Sequence, residues 1–152
     1  MHKKTMFVWM MLILITLTIS LFVSDEKTVY ADGIEDEAED CEFGEYYKDS
    51  VRNDSGDRNY YKIEVKEKMD LEIRISSKAL NSGSSGLHIS VYNSKGKKVM
   101  EPTAFDFKYN MVKGRCNAKA ERTFNKGNYY IEFEPYAVGD IMINYKFIVI
   151  QK

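Results

Sequence analysis

From Tyr60 onward, apolar and polar residues alternate with period two, the rhythm of strands that bury one face. Tyr61, Ile63 and Val65 alternate with Lys62, Glu64 and Lys66, and Leu71, Ile73 and Ile75 alternate with Asp70, Glu72 and Arg74. These two runs predict a hairpin turning near Glu67 and Lys68. A Gly/Ser loop follows at Asn81–Gly86, and then Leu87, Ile89 and Val91 point one way while His88, Ser90 and Tyr92 point the other. Asn93-Ser94-Lys95-Gly96 makes a tight turn into Lys97–Glu101. Pro102–Gly114 has no clean period and reads as a long connection, and Cys116–Phe124 is a weaker strand. A turn at Asn125–Asn128 leads to Tyr129, Ile131 and Phe133 on one face with Tyr130, Glu132 and Glu134 on the other. After Gly139-Asp140, the residues Ile141, Ile143, Tyr145, Phe147 and Val149 form a long strand. Ile148 and Ile150, out of phase with it, mean that this strand is covered on both sides or contacts a partner.

Helical period is confined to one short turn within Asp36–Phe43. Short strands, regular turns and no helices to cover a parallel sheet predict an all-β, antiparallel sandwich. Tyr61, Tyr129 and Tyr145 share the apolar phase and belong in its core, with their hydroxyls at the rim. Tyr60, Tyr92 and Tyr130 fall out of phase and are expected on outer faces. There they form either a platform for an extended polymer or ordinary cross-strand pairs.

The N-terminus changes the setting. Residues 1–31 comprise Lys3 and Lys4, an apolar run Met6–Val23, and a polar stretch ending Val29-Tyr30-Ala31, the three parts of a secretory leader cleaved before Asp32. The apolar run, about eighteen residues, is also long enough for an uncleaved membrane anchor. Both alternatives place the body across the membrane. The remaining stretch, about 120 residues, suffices for one domain with a modest core.

Charge divides that body. Beyond residue 31 there are 19 basic and 21 acidic residues, which leaves no nucleic-acid footprint. Residues 32–57 hold 11 acidic residues against Lys48 and Arg52, whereas residues 58–152 hold 10 acidic against 17 basic. An acidic arm, 32–57, therefore precedes a basic sandwich domain, 58–152. The arm is a solvated lead-in, folds back on the body, or binds a cation. Cys41 and Cys116 are the two cysteines, and an even count in an exported domain favours a disulfide over free thiols. Closing a loop of about 75 residues would stabilise the fold by roughly 4 kcal/mol.

Three segments carry a resemblance. GDRNYYKIEV (Gly56–Val65), LHISVYNSKGKKV (Leu87–Val99) and FNKGNYYIEF (Phe124–Phe133), in this order before a last alternating strand, resemble the bacterial pre-peptidase C-terminal domain. That family includes the collagen-binding domains of clostridial collagenases. The resemblance spans nearly the whole body and implies a jelly-roll-like sandwich with a secreted accessory role. Members are usually appended to proteases, whereas this chain shows no catalytic domain. The resemblance also implies a calcium site where the arm meets the turn before the double-Tyr strand. The matching residues are Glu37, Glu39 and Asp40 with Asp54 and Asp57, carboxylates of the kind that supply six to eight oxygen ligands.

Catalysis finds little support. His88 is the one imidazole beyond the leader and lies on a polar strand face with no nucleophile motif beside it. The abundant acids leave a two-carboxylate hydrolase as the enzymatic alternative, yet no pair is singled out. The absence of CxxC spacing and of a second histidine beyond the leader argues against a zinc site. The expectation is a secreted binding module for a protein or carbohydrate polymer, calcium-assisted if the acidic set assembles. The alternative is a non-catalytic structural or inhibitory partner of a separately encoded exported enzyme.

Overall fold

The computed structural model describes residues 33–53, 56–80 and 83–152. The expected leader, residues 1–31, and Asp54 lie outside them. A helical turn at 33–37 is followed by β1 (Glu39–Asp40), β2 (Tyr46–Arg52), β3 (Asn59–Val65), β4 (Met69–Lys78), β5 (Leu87–Asn93) and β6 (Lys98–Met100). After one 3-10 turn at Pro102–Ala104 come β7 (Lys108–Asn110), β8 (Arg115–Phe124), β9 (Gly127–Pro135) and β10 (Met142–Gln151). The strands form two five-stranded sheets, ordered β1-β3-β9-β5-β6 and β2-β10-β4-β8-β7. Strand neighbours run antiparallel except β1, which lies parallel to β3. The expected β-sandwich is formed.

Period two decides which side chains face inward. Ile63, Ile89, Val91, Ile131 and Phe133 of the first sheet are fully buried against Leu71, Ile73, Ile143 and Val149 of the second. Rings carry the contact at the middle. Phe133 stacks on Tyr145 at 4.3 Å between centroids, and Phe147 meets Tyr61 edge-on at 4.6 Å and Phe133 at 4.9 Å. Tyr61, Tyr129 and Tyr145 are all core residues, as their phase predicts. At the rim, the Tyr61 hydroxyl donates to Asp49 Oδ2 (2.7 Å), and Asn59 Nδ2 donates to the Tyr145 hydroxyl (2.9 Å) and to Asp49 (2.7 Å). This polar knot ties β3 of one sheet to β2 and β10 of the other.

Three sequence expectations are corrected. The β3 and β4 runs are not a hairpin: β3 pairs with β9 and β4 with β8, in different sheets. Residues 66–68 carry the chain across the core, alongside the similar crossing between β8 and β9. Alternation reports which face is apolar, and two runs with inward apolar faces satisfy it from opposite sides of one core as well as side by side. The acidic arm is not a lead-in, because it folds back and supplies β1 and β2, the latter paired with β10 over seven residues. The disulfide is absent. Cys41 sits beside β3, its amide donating to the Lys62 carbonyl (2.8 Å), while Cys116 lies in β8 of the other sheet, its Sγ 3.0 Å from the Gly83 carbonyl. Both are buried free thiols. Burial, the leading cause, pushes Cys41 up to about 12 and raises Cys116.

Two outcomes follow. The melting temperature is expected to be the same with and without reducing agent, and a thiol-specific chromogenic reagent should label both cysteines only after denaturation. A fall in melting temperature on reduction would show a bridge. Stability should also fall at alkaline pH, because burial foremost raises Cys41, Tyr61 and Tyr145. A neutral acid that holds its proton more tightly when folded stabilises the protein below its unfolded pKa and loses that contribution as pH rises. The melting temperature should therefore hold up to the ordinary thiol value of 9.0 and decline between there and about 12. Thermal melts across this range check it, and Cys41→Ala should make the decline shallower while Cys116 keeps its onset in place.

Candidate binding face

The outer face of the first sheet is closed by its own residues. Register places Tyr92, Tyr130 and Lys62 in one cross-strand row and Ser90, Glu132 and Tyr60 in the next. Glu132, 3% exposed, accepts from the Tyr92 hydroxyl (2.9 Å), the Tyr60 hydroxyl (3.3 Å) and Arg58 (3.3 Å), while Arg58 also pairs with Glu134 at 2.7 Å. Ile34, from the helical turn, packs on Tyr60 and Tyr130. Burial, with the Glu35 and Asp40 carboxylates nearby, pushes the Tyr130 hydroxyl up to about 12.

The expected platform of Tyr60, Tyr92 and Tyr130 is therefore corrected: the rings are together but only 9%, 7% and 2% exposed. The phase assigned them to the outer face correctly. What it could not show is that a carboxylate on the same face gathers the hydroxyls and that the arm covers the rings. The lone Glu132 within the aromatic run Tyr129–Phe133 was the available signal. His88 stacks its imidazole on Tyr136 at 3.9 Å between centroids.

The outer face of the second sheet is open. Reading across β2, β10, β4, β8 and β7, one row is Ser50, Asn144, Lys78, Arg115 and Asn110, and the next is Lys48, Lys146, Ser76, Asn117 and Lys108. The third is Tyr46, Ile148, Arg74 and Lys119. Two adjoining depressions lie on these rows and share Arg115 and Lys146. One of about 840 Å³ runs over Tyr46, Ser76, Asn117 and Lys108 and includes Asp106, and one of about 600 Å³ runs over Lys48, Ser50, Lys78 and Asn144 and includes Asp49. Lys146 lies 5.3 Å from the centre of the Tyr46 ring, a cation–π contact. Ile148, expected to be covered on both sides of its strand, is buried here at the floor.

Charge balance changes sharply across this face. In the fourth row Glu72 is buried and pairs with Lys119 (3.3 Å), Lys152 (3.8 Å) and Arg74, while Glu121 pairs with Lys152 (2.8 Å) and Lys119 (3.1 Å). Hydrogen bonding to Lys152 first, then to Glu72 and Lys119, holds the Glu121 carboxyl down to about 2. The first two rows have no such partners: among the described residues Lys48, Lys78, Lys108 and Arg115 make no ion pair. Lys48 faces Lys146, and Lys78 faces Arg115, directly across the ladder. Like charges so placed are destabilising.

Of the expected calcium ligands, Asp54 lies outside the described residues and the other four do not gather. Glu37, Glu39, Asp40 and Asp57 are exposed, and among the described residues no three His, Cys, Asp or Glu side chains converge as a metal site. Asp40 instead approaches Lys62 at 3.9 Å.

No family model matches the chain, and no curated protein matches it. Solved structures do. The pre-peptidase C-terminal domain of a collagenase from Bacillus anthracis aligns with a TM-score of 0.54 at 17% identity, over 74% of this chain and 94% of that one. A periplasmic inhibitor of g-type lysozyme from Salmonella Typhimurium gives 0.49 at 13% identity, over 76% and 99%. A family 35 carbohydrate binding module from Clostridium thermocellum gives 0.37 at 16% identity, over 58% and 66%. The chain thus has the β-sandwich fold of a pre-peptidase C-terminal domain, the fold to which its double-Tyr strands pointed.

Proposed function

We propose that this chain is an exported, non-catalytic binding module whose working surface is the outer face of the second sheet, and that it attaches there to a protein or carbohydrate polymer. One observation carries the reading: five cations, Lys48, Lys78, Lys108, Arg115 and Lys146, occupy two consecutive rows with no carboxylate in either, and two like-charge pairs among them face each other across the ladder. Repulsion of this kind lowers the stability of the free domain and is offset when an anionic ligand lies across it. The five-strand width, about 20 Å, suits an extended ligand. Export is part of the proposal and rests on the leader.

Replacing one member of each pair separates binding from folding. Lys48→Glu with Lys78→Glu converts both repulsive pairs into attractive ones, so the double variant should gain roughly 0.2–1 kcal/mol per pair. It should nevertheless lose retention on immobilised extracellular polymers that hold the wild type. A more stable variant with undiminished retention would remove this face as the site. Retention of a secreted enzyme alone would instead favour the role of an enzyme's partner.

Calcium assistance is tested separately. With the described acids apart, the melting temperature is expected to be equal in chelator and in millimolar calcium. A rise in calcium would restore the ion to the proposal.

A further inference from the structure

The same basic face narrows the ligand, an inference that rests on the binding function proposed above. We infer that the two adjoining depressions of this face together take a negatively charged polysaccharide.

The cations are not a continuous field. Four of them stand in adjacent pairs, Lys48 with Lys146 on β2 and β10, and Lys78 with Arg115 on β4 and β8, displaced by about two strand spacings, ~10 Å, while Lys108 stands singly on β7. Neutral hydrogen-bonding side chains occupy the complementary positions: Ser50 and Asn144 in one row, Ser76 and Asn117 in the next. A checkerboard of charge pairs and amide or hydroxyl pairs matches a chain whose anionic groups recur between stretches of hydroxyls. Asn side chains both donate and accept, as the hydroxyl groups of sugars require. Tyr46, 65% exposed, closes one end of this surface with Lys146 against its ring.

Two other polyanions fit less well. An acidic peptide is seated by a cluster of arginines, by apolar anchors or by adding a strand to a sheet edge, and Arg115 is the one arginine among the five cations of the first two rows. This face lies over the strands, not along an edge, and its apolar side chains, Tyr46 and Ile148, are confined to one row. A single-stranded nucleic acid needs successive stacking rings. Tyr46 is alone among the three rows in supplying one, and Lys146 already lies against it.

The test measures binding of the full chain, in low salt, to polygalacturonate and dextran sulfate. Neutral dextran, poly-L-glutamate and oligo-dT serve as comparisons. Saturable binding to at least one charged polysaccharide is expected, absent with dextran and about tenfold tighter than with poly-L-glutamate at matched charge. Asn117→Ala and Ser76→Ala leave the charge unchanged, so each should weaken polysaccharide binding severalfold without lowering the residual affinity for poly-L-glutamate. Equal or tighter binding of poly-L-glutamate or oligo-dT, or indifference to both neutral variants, would overturn the inference. Those results would leave the face itself intact as a binding site if Lys48→Glu with Lys78→Glu still abolishes retention. Failure of every polyanion, together with unchanged retention of the charge variant, would overturn both readings.

Discussion

The stacking of Phe133 on Tyr145 holds the two sheets in register, and the other arrangements in the molecule depend on it. The two rings come from opposite sheets, and Phe147 and Tyr61 close around them, so the contact is shared by β3, β9 and β10. Aromatic pairs of this kind add about 0.5–1.5 kcal/mol beyond their buried area and favour particular ring orientations. The Asn59–Tyr145 and Tyr61–Asp49 hydrogen bonds at the rim form because those hydroxyls are delivered there by ringed side chains already fixed in the core. Burial of the same hydroxyls makes them reluctant to ionise.

From that shared core the two outer faces develop opposite characters. On the first sheet, Glu132 is saturated by Tyr60, Tyr92 and Arg58, and the helical turn lays Ile34 over the rings. The Glu132 carboxylate is thereby satisfied internally. On the second sheet Glu72 and Glu121 neutralise Arg74, Lys119 and Lys152 at one side of the face. The middle of the face is left with cations and neutral amides facing solvent. A sandwich presents two broad outer surfaces, and here one is committed to holding the arm while the other is available.

The strands from β3 onward were legible because a half-buried strand writes its orientation into every second residue. β5, β9 and β10 show it most plainly, as does the separation of Tyr61 from Tyr60. Partner choice was not legible: β3 and β4 obey the same alternation whether they lie side by side or face each other. β2 was hidden because Tyr46, Lys48 and Ser50 on its outer side carry charge and hydroxyls, while its inner side offers Tyr47, Asp49 and Val51, a mixed set. The three outer tyrosines were assigned to the correct faces but to the wrong environment, since coverage by a distant segment leaves no mark in local periodicity. The basic face escaped notice for a related reason. Its residues come from five separated strands, and only the ladder brings Lys48 beside Lys146 and Lys78 beside Arg115.

Strand order also has a kinetic meaning. β10 follows every other strand in sequence, yet it lies between β2 and β4, with both as hydrogen-bonded neighbours. The second sheet therefore has a gap beside its middle until that segment arrives, and the rings of Tyr145 and Phe147 arrive with it. Long-range pairings of this sort form slowly because loop closure precedes the reward. Until that final strand is in place, β2 has no hydrogen-bonded neighbour in its sheet and β4 lacks one of its two.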